Sequence, residues 1–411
     1  MAVPKFIQIH TLTSYPASLL NRDDVGFAKR VPFGGITRTR VSSQCLKRHW
    51  RTHDGEHALS KIDEYPGESV RSRLTFELRI RKPLMDAHGV KEEVADAVTT
   101  ALMDEVLGKS AKAKESKKKG EEDKSKRFAT GQITVLGRPE LEYLLAEAVA
   151  IAAKLKPGKD LAKSAAKAVK ERLKDRSRKD NLKALKCAAG LEAAMFGRMV
   201  TSDLLARTDA AVHVAHAFTV HPESTESDYF SAIDDLLREQ EDTLGSGHIG
   251  NIELTAGLYY SYVVVDLPLL ISNLTGCPRE QWVEHRSELA AEVLRRLVHL
   301  IATVSPGAKL GSTAPHSYAQ WMMVERGNAQ PRTLANAFLK PVRNGQNVLE
   351  DTYTRIREHL TGLDQMYASG EERRFAGMGP VGLLAPALDP ETQRSPLPGV
   401  AKWAADTLKG A

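Results

Sequence analysis

Apolar and polar positions change their spacing several times along this chain, and each change marks an element. "KFIQIHTL" (5–12) is a short apolar run with the length and composition of a buried strand. Ser42 and Ser43 then open a predicted helix near 43–54, because a serine hydroxyl can accept from the free amides of a first helical turn. "AAVHVAHAFTVH" (210–221) alternates, which places Val212, Val214, His216, Phe218 and Val220 on one face of a strand. "GLYYSYVVVDL" (257–267), rich in aromatic and β-branched residues, reads as another strand. From Arg279 to Val304 the spacing turns helical through Leu289, Val293, Leu297 and Leu300, and "HSYAQWMMVER" (316–326) reads as a fourth strand.

In order, these elements spell strand–helix, a long insertion, strand–loop–strand, helix, strand. That is the β-α-β-β-α-β arrangement of a ferredoxin-like α+β fold, shared by the RNA-recognition motif. The insertion between about 58 and 205 is dominated by alanine, lysine and leucine, and "LEYLLAEAVAIAAKL" carries an apolar stripe, so it is expected to be helical. A second insertion, 222–253, is polar and reads as a long loop, a length that is usually functional or disordered. After about 346 the pattern predicts one helix, a Gly/Pro-rich loop "GMGPVGLLAPALDP" and a short final helix containing Trp403.

Composition narrows the class. A chain of 411 residues, 42% hydrophobic and 27% charged, is ordinary for a soluble protein with two or three domains. No apolar run approaches the roughly 18 residues that span a bilayer, so no membrane partner is expected. The N-terminus lacks an export pattern, and Cys45, Cys187 and Cys277 lie far apart, which fits a reducing cytoplasm. The net charge of +6 is unevenly spread. Residues 109–127 carry a balance of +5 and 154–186 a balance of +9, so the remainder is at −8. A central basic region in an otherwise acidic protein suits nucleic acid, or a solvated lysine-rich surface.

The stretch "PFGGITRTRVSSQCLKRHWRTH" (32–53) concentrates the candidate chemistry. Arg38 and Arg40 point the same way on a strand, while Lys47 and Arg51 share one face of the following helix and Leu46 and Trp50 the other. With Ser42, Ser43 and Gln44 at a helix N-terminus, which itself favours anions, these cations form a concavity suited to a polyanion backbone. The alternative is a surface helix with ordinary cations. His213 and His216 fall on opposite faces of a strand, so no metal site is expected, and no Walker loop or cofactor signature is present. Asp23 and Asp24 in "NRDD" pair two carboxylates without a third partner. Tyr229 and Phe230, adjacent in the long polar loop, offer stacking surfaces. Met199, after Gly197–Arg198, is an adaptable apolar wedge or a core residue.

"IHTLTSYPASLLNRDD", "FGGITRTRVSSQCLKRHWR", "FGRMVTSD", "VAHAFTVH", "DYFSAIDD", "PGAKLGSTAP" and "ANAFLKPV" run nearly the full chain in one order. In them the sequence resembles the backbone subunit of the type I-E CRISPR surveillance complex Cascade, the CasC family. The resemblance implies a hand: a ferredoxin-like, modified RNA-recognition-motif palm (1–57, 206–221 and 254–345), helical fingers (58–205) and a long thumb loop (222–253). Residues 346–411 would pack as helices and loop on the palm. It implies that several copies form a helical filament along a CRISPR RNA. Arg22, Ser42, Gln44, Lys47, Arg48 and Arg51 would contact phosphates, and Lys309 is a further backbone candidate. Met199 would wedge against bases, and Tyr229, Phe230 and Ser231 would act at a thumb kink. Tyr229 stands where the family often has Trp, and the lysine-rich stretches have no aligned counterpart. Target DNA is reached through the guide. The expected partners are large, small, five-prime-handle and guide-processing subunits. No catalytic residue and no cofactor are implied. The rival readings are a metal-dependent ribonuclease using Asp23 or Asp24 and a stand-alone single-stranded RNA-binding protein.

Overall fold

The computed structural model describes residues 3–62, 69–108, 128–174, 190–198, 208–233 and 246–409. The first elements are β1 (Phe6–Ser18), β2 (Arg30–Phe33), β3 (Ile36–Val41), α1 (Ser43–Thr52), β4 (Ser69–Ser72), α2 (Lys82–Asp86) and α3 (Glu92–Leu107). Then come β5 (Thr134–Gly137), α4 (Arg138–Ala152), α5 (Leu161–Lys174), α6 (Leu191–Phe196), β6 (Val212–Val214), β7 (Ala217–Thr219), β8 (Thr225–Ile233) and β9 (Ser246–Asp266). The chain ends with α7 (Leu267–Thr275), α8 (Glu288–Thr303), β10 (Trp321–Gly327), α9 (Val348–Tyr367), β11 (Glu372–Gly377) and α10 (Leu397–Ala405). Two units are formed, one from 1–63, 213–267 and 286–411, the other from 64–212 and 268–285.

The first unit is built on a sheet in the order β11-β10-β1-β9-β7-β3-β2, with antiparallel neighbours. The four strands foreseen by pattern occupy its middle as β10-β1-β9-β7, the spatial order 4-1-3-2, with α1 after the first and α8 after the third. β1 is buried from Ile7 to Thr13, with the polar Gln8, His10, Thr11 and Thr13 buried alongside Ile7, Ile9 and Leu12. On one face Leu12, Tyr260, Trp321, Met323 and Phe375 pack with Tyr353, Ile356 and Leu360 of α9 and with Phe338. α8 carries a broad apolar stripe, begins at Ser287, whose Oγ accepts from Ala290 N, and contacts β1, α1 and α10.

Several expectations are corrected. The 210–221 run is broken into β6 and β7; His216 is exposed and Phe218 half-buried, so the five alternate residues do not share one environment. The helix expected from 279 begins only at Glu288. The 222–253 insertion is not a loop where it is described: Thr225–Ile233 pairs with Ser246–Thr255 as a ladder. "EERRFAG", read as part of the tail, is β11 and extends the sheet. The second unit starts later than 58 and includes a second segment, 268–285.

That second unit has its own core, with Phe76, Ile80, Leu84, Val98, Leu102, Leu144, Ile151, Val169 and Leu173 among its buried residues. Most come from α3, α4 and α5, as the helical insertion predicts. Residues 109–127 and 175–186 of the lysine-rich stretches lie outside the described residues.

A buried carboxylate ties one end of the first unit's sheet together. Glu325 on β10 accepts Nε2 of His10 (3.0 Å), both Nη atoms of Arg332 (2.7 and 3.0 Å) and Nε of Arg373 on β11 (2.7 Å). Arg373 also holds both oxygens of Asp364 on α9, each at 2.6 Å. Against the effect of burial, hydrogen bonds from His10 and Arg332 and the charge of Arg332 hold Glu325 well below the ordinary carboxylate range. Burial lowers His10, so the neutral ring donates from Nε2 and accepts at Nδ1 from Tyr260 Oη, 2.9 Å away. Glu325→Ala leaves two arginines without their shared counter-charge and is expected to destabilise the chain by about 3–5 kcal/mol in urea titration.

Histidines set an acid limit. His57 and His299 stack with centroids 3.9 Å apart. Burial, then His57 and Arg295, bring His299 from its ordinary 6.5 to about 4. Burial also lowers His10, His57 and His221. The unfolded chain therefore takes up these protons first. Their contribution is complete above about 6.5 and declines as pH falls toward 4. The urea midpoint is expected to drop between pH 7 and pH 4.5; a flat profile contradicts this.

Candidate nucleic-acid interface

Three segments meet at the end of β1: the 21–29 loop, the start of α1 and the 306–313 loop. Asn21 Oδ1 accepts Ser42 N at 2.9 Å, which pins the loop to the helix entrance. Asn21 O accepts Lys29 N (2.9 Å) and Lys29 O accepts Arg40 N (2.8 Å), so the loop closes against β3. Ala308 N donates to Leu19 O at 2.9 Å. Below them Leu19, Ala28 and Ile252 form a small core with Leu254 and Ala308. Ile252 and Leu254 belong to β9, so the root of the β8–β9 ladder rests on the same cluster.

Asp23 has a structural task. Its Oδ1 accepts Val25 N (3.1 Å) and Phe27 N (2.9 Å), holding the loop in a tight turn. Ala28 N donates to Glu253 Oε2 at 2.7 Å, and Arg30 pairs with Glu223 and Glu253. Among the described residues no group of three His, Cys, Asp or Glu is placed to hold a metal.

α1 begins where the sequence places it. Ser42 Oγ accepts Cys45 N at 3.3 Å, and Leu46 and Trp50 are buried. The helix has no acid in its first turn, so its N-terminal dipole is uncompensated there. Gln44 and Arg48 are exposed, and Lys47 and Arg51 half-exposed. Ser42 and Ser43 are buried, and the Ser42 hydroxyl caps the helix.

Further cations gather here. Burial raises the Cys45 thiol, and the charges of Lys29 and Arg48 oppose it, which places both beside the helix start. Burial, Arg40 and Lys29 all lower His216; Arg40 Nη1 lies 2.9 Å from His216 Nδ1 and its Nε donates to Arg30 O at 3.0 Å. Arg22 and Lys309 are exposed on their loops, and Lys309 has φ +55°, the left-handed region. Lys29 was not singled out in the sequence; nothing in "GFAKR" marks it, and only the fold back onto Asn21 brings it here.

Arg38 does not belong to this surface. It is fully buried, donating from Nη1 to Thr219 O (2.9 Å), from Nη2 to Phe338 O (2.8 Å) and from Nε to Phe33 O (3.3 Å). Burial lowers its pKa to about 10. The pattern placed it beside Arg40 on one face, but the 338–339 turn covers it. That turn explains "FGG": Gly34 has φ +66°, and a Cβ there would lie 1.9 Å from Leu339 O.

Tyr229, opposite Asn251 on the β8–β9 ladder, is 66% exposed. Phe230 and Ser231 continue the same strand, where the backbone alone is described. Met199 lies outside the described residues.

Two classes of substitution separate these cations. Arg38→Met is expected to cost roughly 3 kcal/mol of stability, since it removes a buried charge from three carbonyls. It should leave the salt dependence of RNA binding unchanged. Lys47→Ala with Arg51→Ala is expected to leave stability nearly intact and reduce the log–log salt slope by about 1.4, at roughly 0.7 per phosphate contact. Filter binding across a salt series measures both.

A model of the family described as CT1975-like protein matches residues 7–383. A chain of a solved "CRISPR RNA-guided surveillance complex, pre-nicking" has a TM-score of 0.74 and 26% identity, covering 98% of this chain and 100% of that chain. A chain of a second "CRISPR RNA-guided surveillance complex" has a TM-score of 0.65 at 23% identity, over 98% and 99% of the two chains, a likeness of fold. No curated protein matches. With the match spanning most of its length, the chain belongs to the CT1975-like protein family.

Proposed function

We propose that this chain is a CRISPR RNA-binding subunit of a Cascade-type surveillance complex, and within that class the backbone subunit of type I-E, the CasC family. One observation carries the reading: a helix start without acids, the cations Arg22, Lys29, Arg40, Arg48 and Lys309 on four joined segments, and an exposed tyrosine on a ladder rooted in the same cluster. That combination suits a single strand held by its phosphates and stacked at intervals. The similarity to chains of RNA-guided surveillance complexes supports it.

In this reading the sheet of the first unit is a ferredoxin-like palm, supported by its 4-1-3-2 order. The helical unit serves as fingers and the β8–β9 ladder as thumb. Copies stack head to tail along the guide, a heterologous contact that needs other subunits to cap it. The large, small, five-prime-handle and guide-processing subunits would serve there. The chain binds and assembles in the cytoplasm and cuts nothing. Asp23 and Asp24 would then be loop residues, a role Asp23 fills through its turn. Among the described residues no helix is long and apolar enough to cross a membrane.

The second unit contributes a further charged surface. Lys154, Lys156, Lys159, Lys163, Lys167 and Lys170 are all exposed, the last three along one face of α5, with Glu171 close to Lys167. This face is assigned to the path of target DNA, where sequence is read by pairing and protein holds the backbone.

The test is nuclease protection of RNA co-purified from cells expressing the chain with a CRISPR array and partner subunits. One protected guide with exposed nucleotides at a regular interval is expected. Heterogeneous or absent RNA, with folded protein and partners present, contradicts the assignment.

A further inference from the structure

The 306–313 loop joins the interface to a second feature. Its neck is closed by Ser305 and Ser317, with Ser305 Oγ donating to Ser317 O (2.8 Å) and accepting Ser317 N (3.0 Å). Lys309 lies within the loop, and Tyr318 follows the neck directly. There a cavity of about 590 Å³ opens among the C-terminal end of α8, the start of β10, the end of β11 and residues 390–397. Met322 is buried at its floor, and Tyr318 and Met378 stand on its lining 70% and 55% exposed. Gln320 and Ser395 add an amide and a hydroxyl. Arg394, itself exposed, keeps one Nη2 donor on Gly377 O at 3.0 Å. Among the described residues no carboxylate lines the cavity.

Each wall answers one part of a nucleotide. The phenol ring and the two thioethers offer flat and polarizable apolar surface to a base face. The amide and hydroxyl match the polar edge of a base, which a lipid tail lacks. The guanidinium, unopposed by any lining acid, matches the adjoining phosphate. The volume is that of a small-ligand site, larger than a structural void. We propose that this cavity receives one unstacked nucleobase of the single strand that crosses the interface, with Tyr318 as its stacking surface. The inference rests on the single-strand-binding reading above.

Photocross-linking of the full chain to a 5-iodouridine-substituted oligoribonucleotide tests it, with cross-linked peptides mapped by mass spectrometry. A cross-link on the peptide carrying Tyr318 and Met322 is expected. Cross-links confined to α1 and the 21–29 and 306–313 loops overturn the cavity and keep the interface. An oligoribonucleotide that does not bind overturns both. Tyr318 is exposed, so Tyr318→Ala should fold normally. It is expected to weaken binding by about 5- to 150-fold, the range for one stacked base, with the salt slope unchanged. Tyr318→Phe should restore binding. Wild-type affinity for Tyr318→Ala overturns the inference.

Discussion

β9 is the strand on which the first unit depends. Its 21 residues, Ser246–Asp266, run about 70 Å at the usual rise per residue. One edge pairs with β1 from Thr255 to Asp266, and the other pairs with β7 at Tyr259–Tyr260 and with β8 from Thr255 back to Ser246. β1 ends at Ser18, opposite Thr255, so β9 leaves the sheet as a two-stranded arm. The arm is a continuation of the sheet. Its position is therefore fixed by the same hydrogen bonds that hold β1 in the core, and by Thr255 Oγ1 donating to Ser18 O at 2.8 Å. A flexible loop in its place would have to be ordered at each binding event, at a cost of about 1–2 kcal/mol per residue. An arm already folded has met that cost in folding.

The same economy separates the arginines. Arg38, Arg332 and Arg373 are inside or nearly so, and each spends its planar set of donors on fixed acceptors that join separate segments. Arg38 joins β3 to the segments ending β7 and preceding 339; Arg373 joins β11 to β10 and α9. The cations of the interface do less for stability, because charges in water gain little from one another. Removing a buried arginine and removing an exposed one are thus different experiments, though they look alike in "ITRTR".

That difference also marks how far the sequence could be read. Local rules located β1, α1 and β10, because a buried run and a serine cap are properties of neighbouring residues. The alternation of strands and helices was legible along the chain, whereas the spatial order β10-β1-β9-β7 comes from the pairing and not from the pattern. Arg38 was misread because its burial depends on Phe338 and Leu339, 300 residues away, and no local pattern carries that information. β11 was missed for a related reason: "EERRFAG" opens with four charged residues in succession and becomes a strand only by pairing with β10. Lys29 needed the loop closure at Asn21. Of the candidate contacts, Arg22, Gln44, Lys47, Arg48, Arg51, Lys309 and Tyr229 fall on accessible surface, whereas Ser42 and Ser43 are buried and the Ser42 hydroxyl is taken up by the helix cap.

Phosphate contacts and stacking divide the work in a way that suits this geometry. Counterion release gives affinity without regard to sequence and weakens as salt rises. Stacking on an aromatic ring is likewise indifferent to sequence but persists in salt. The chain sets cations on short loops braced against β1, and tyrosines at two places beyond them, Tyr229 on the arm and Tyr318 beside the cavity. A strand held in this manner keeps its backbone path while most base edges stay uncommitted. On the proposed function, discrimination would be left to pairing with a second strand, whose entropic cost would fall because the first is already extended and ordered. A surface that read base edges itself would compete with that pairing; a surface of cations and rings does not.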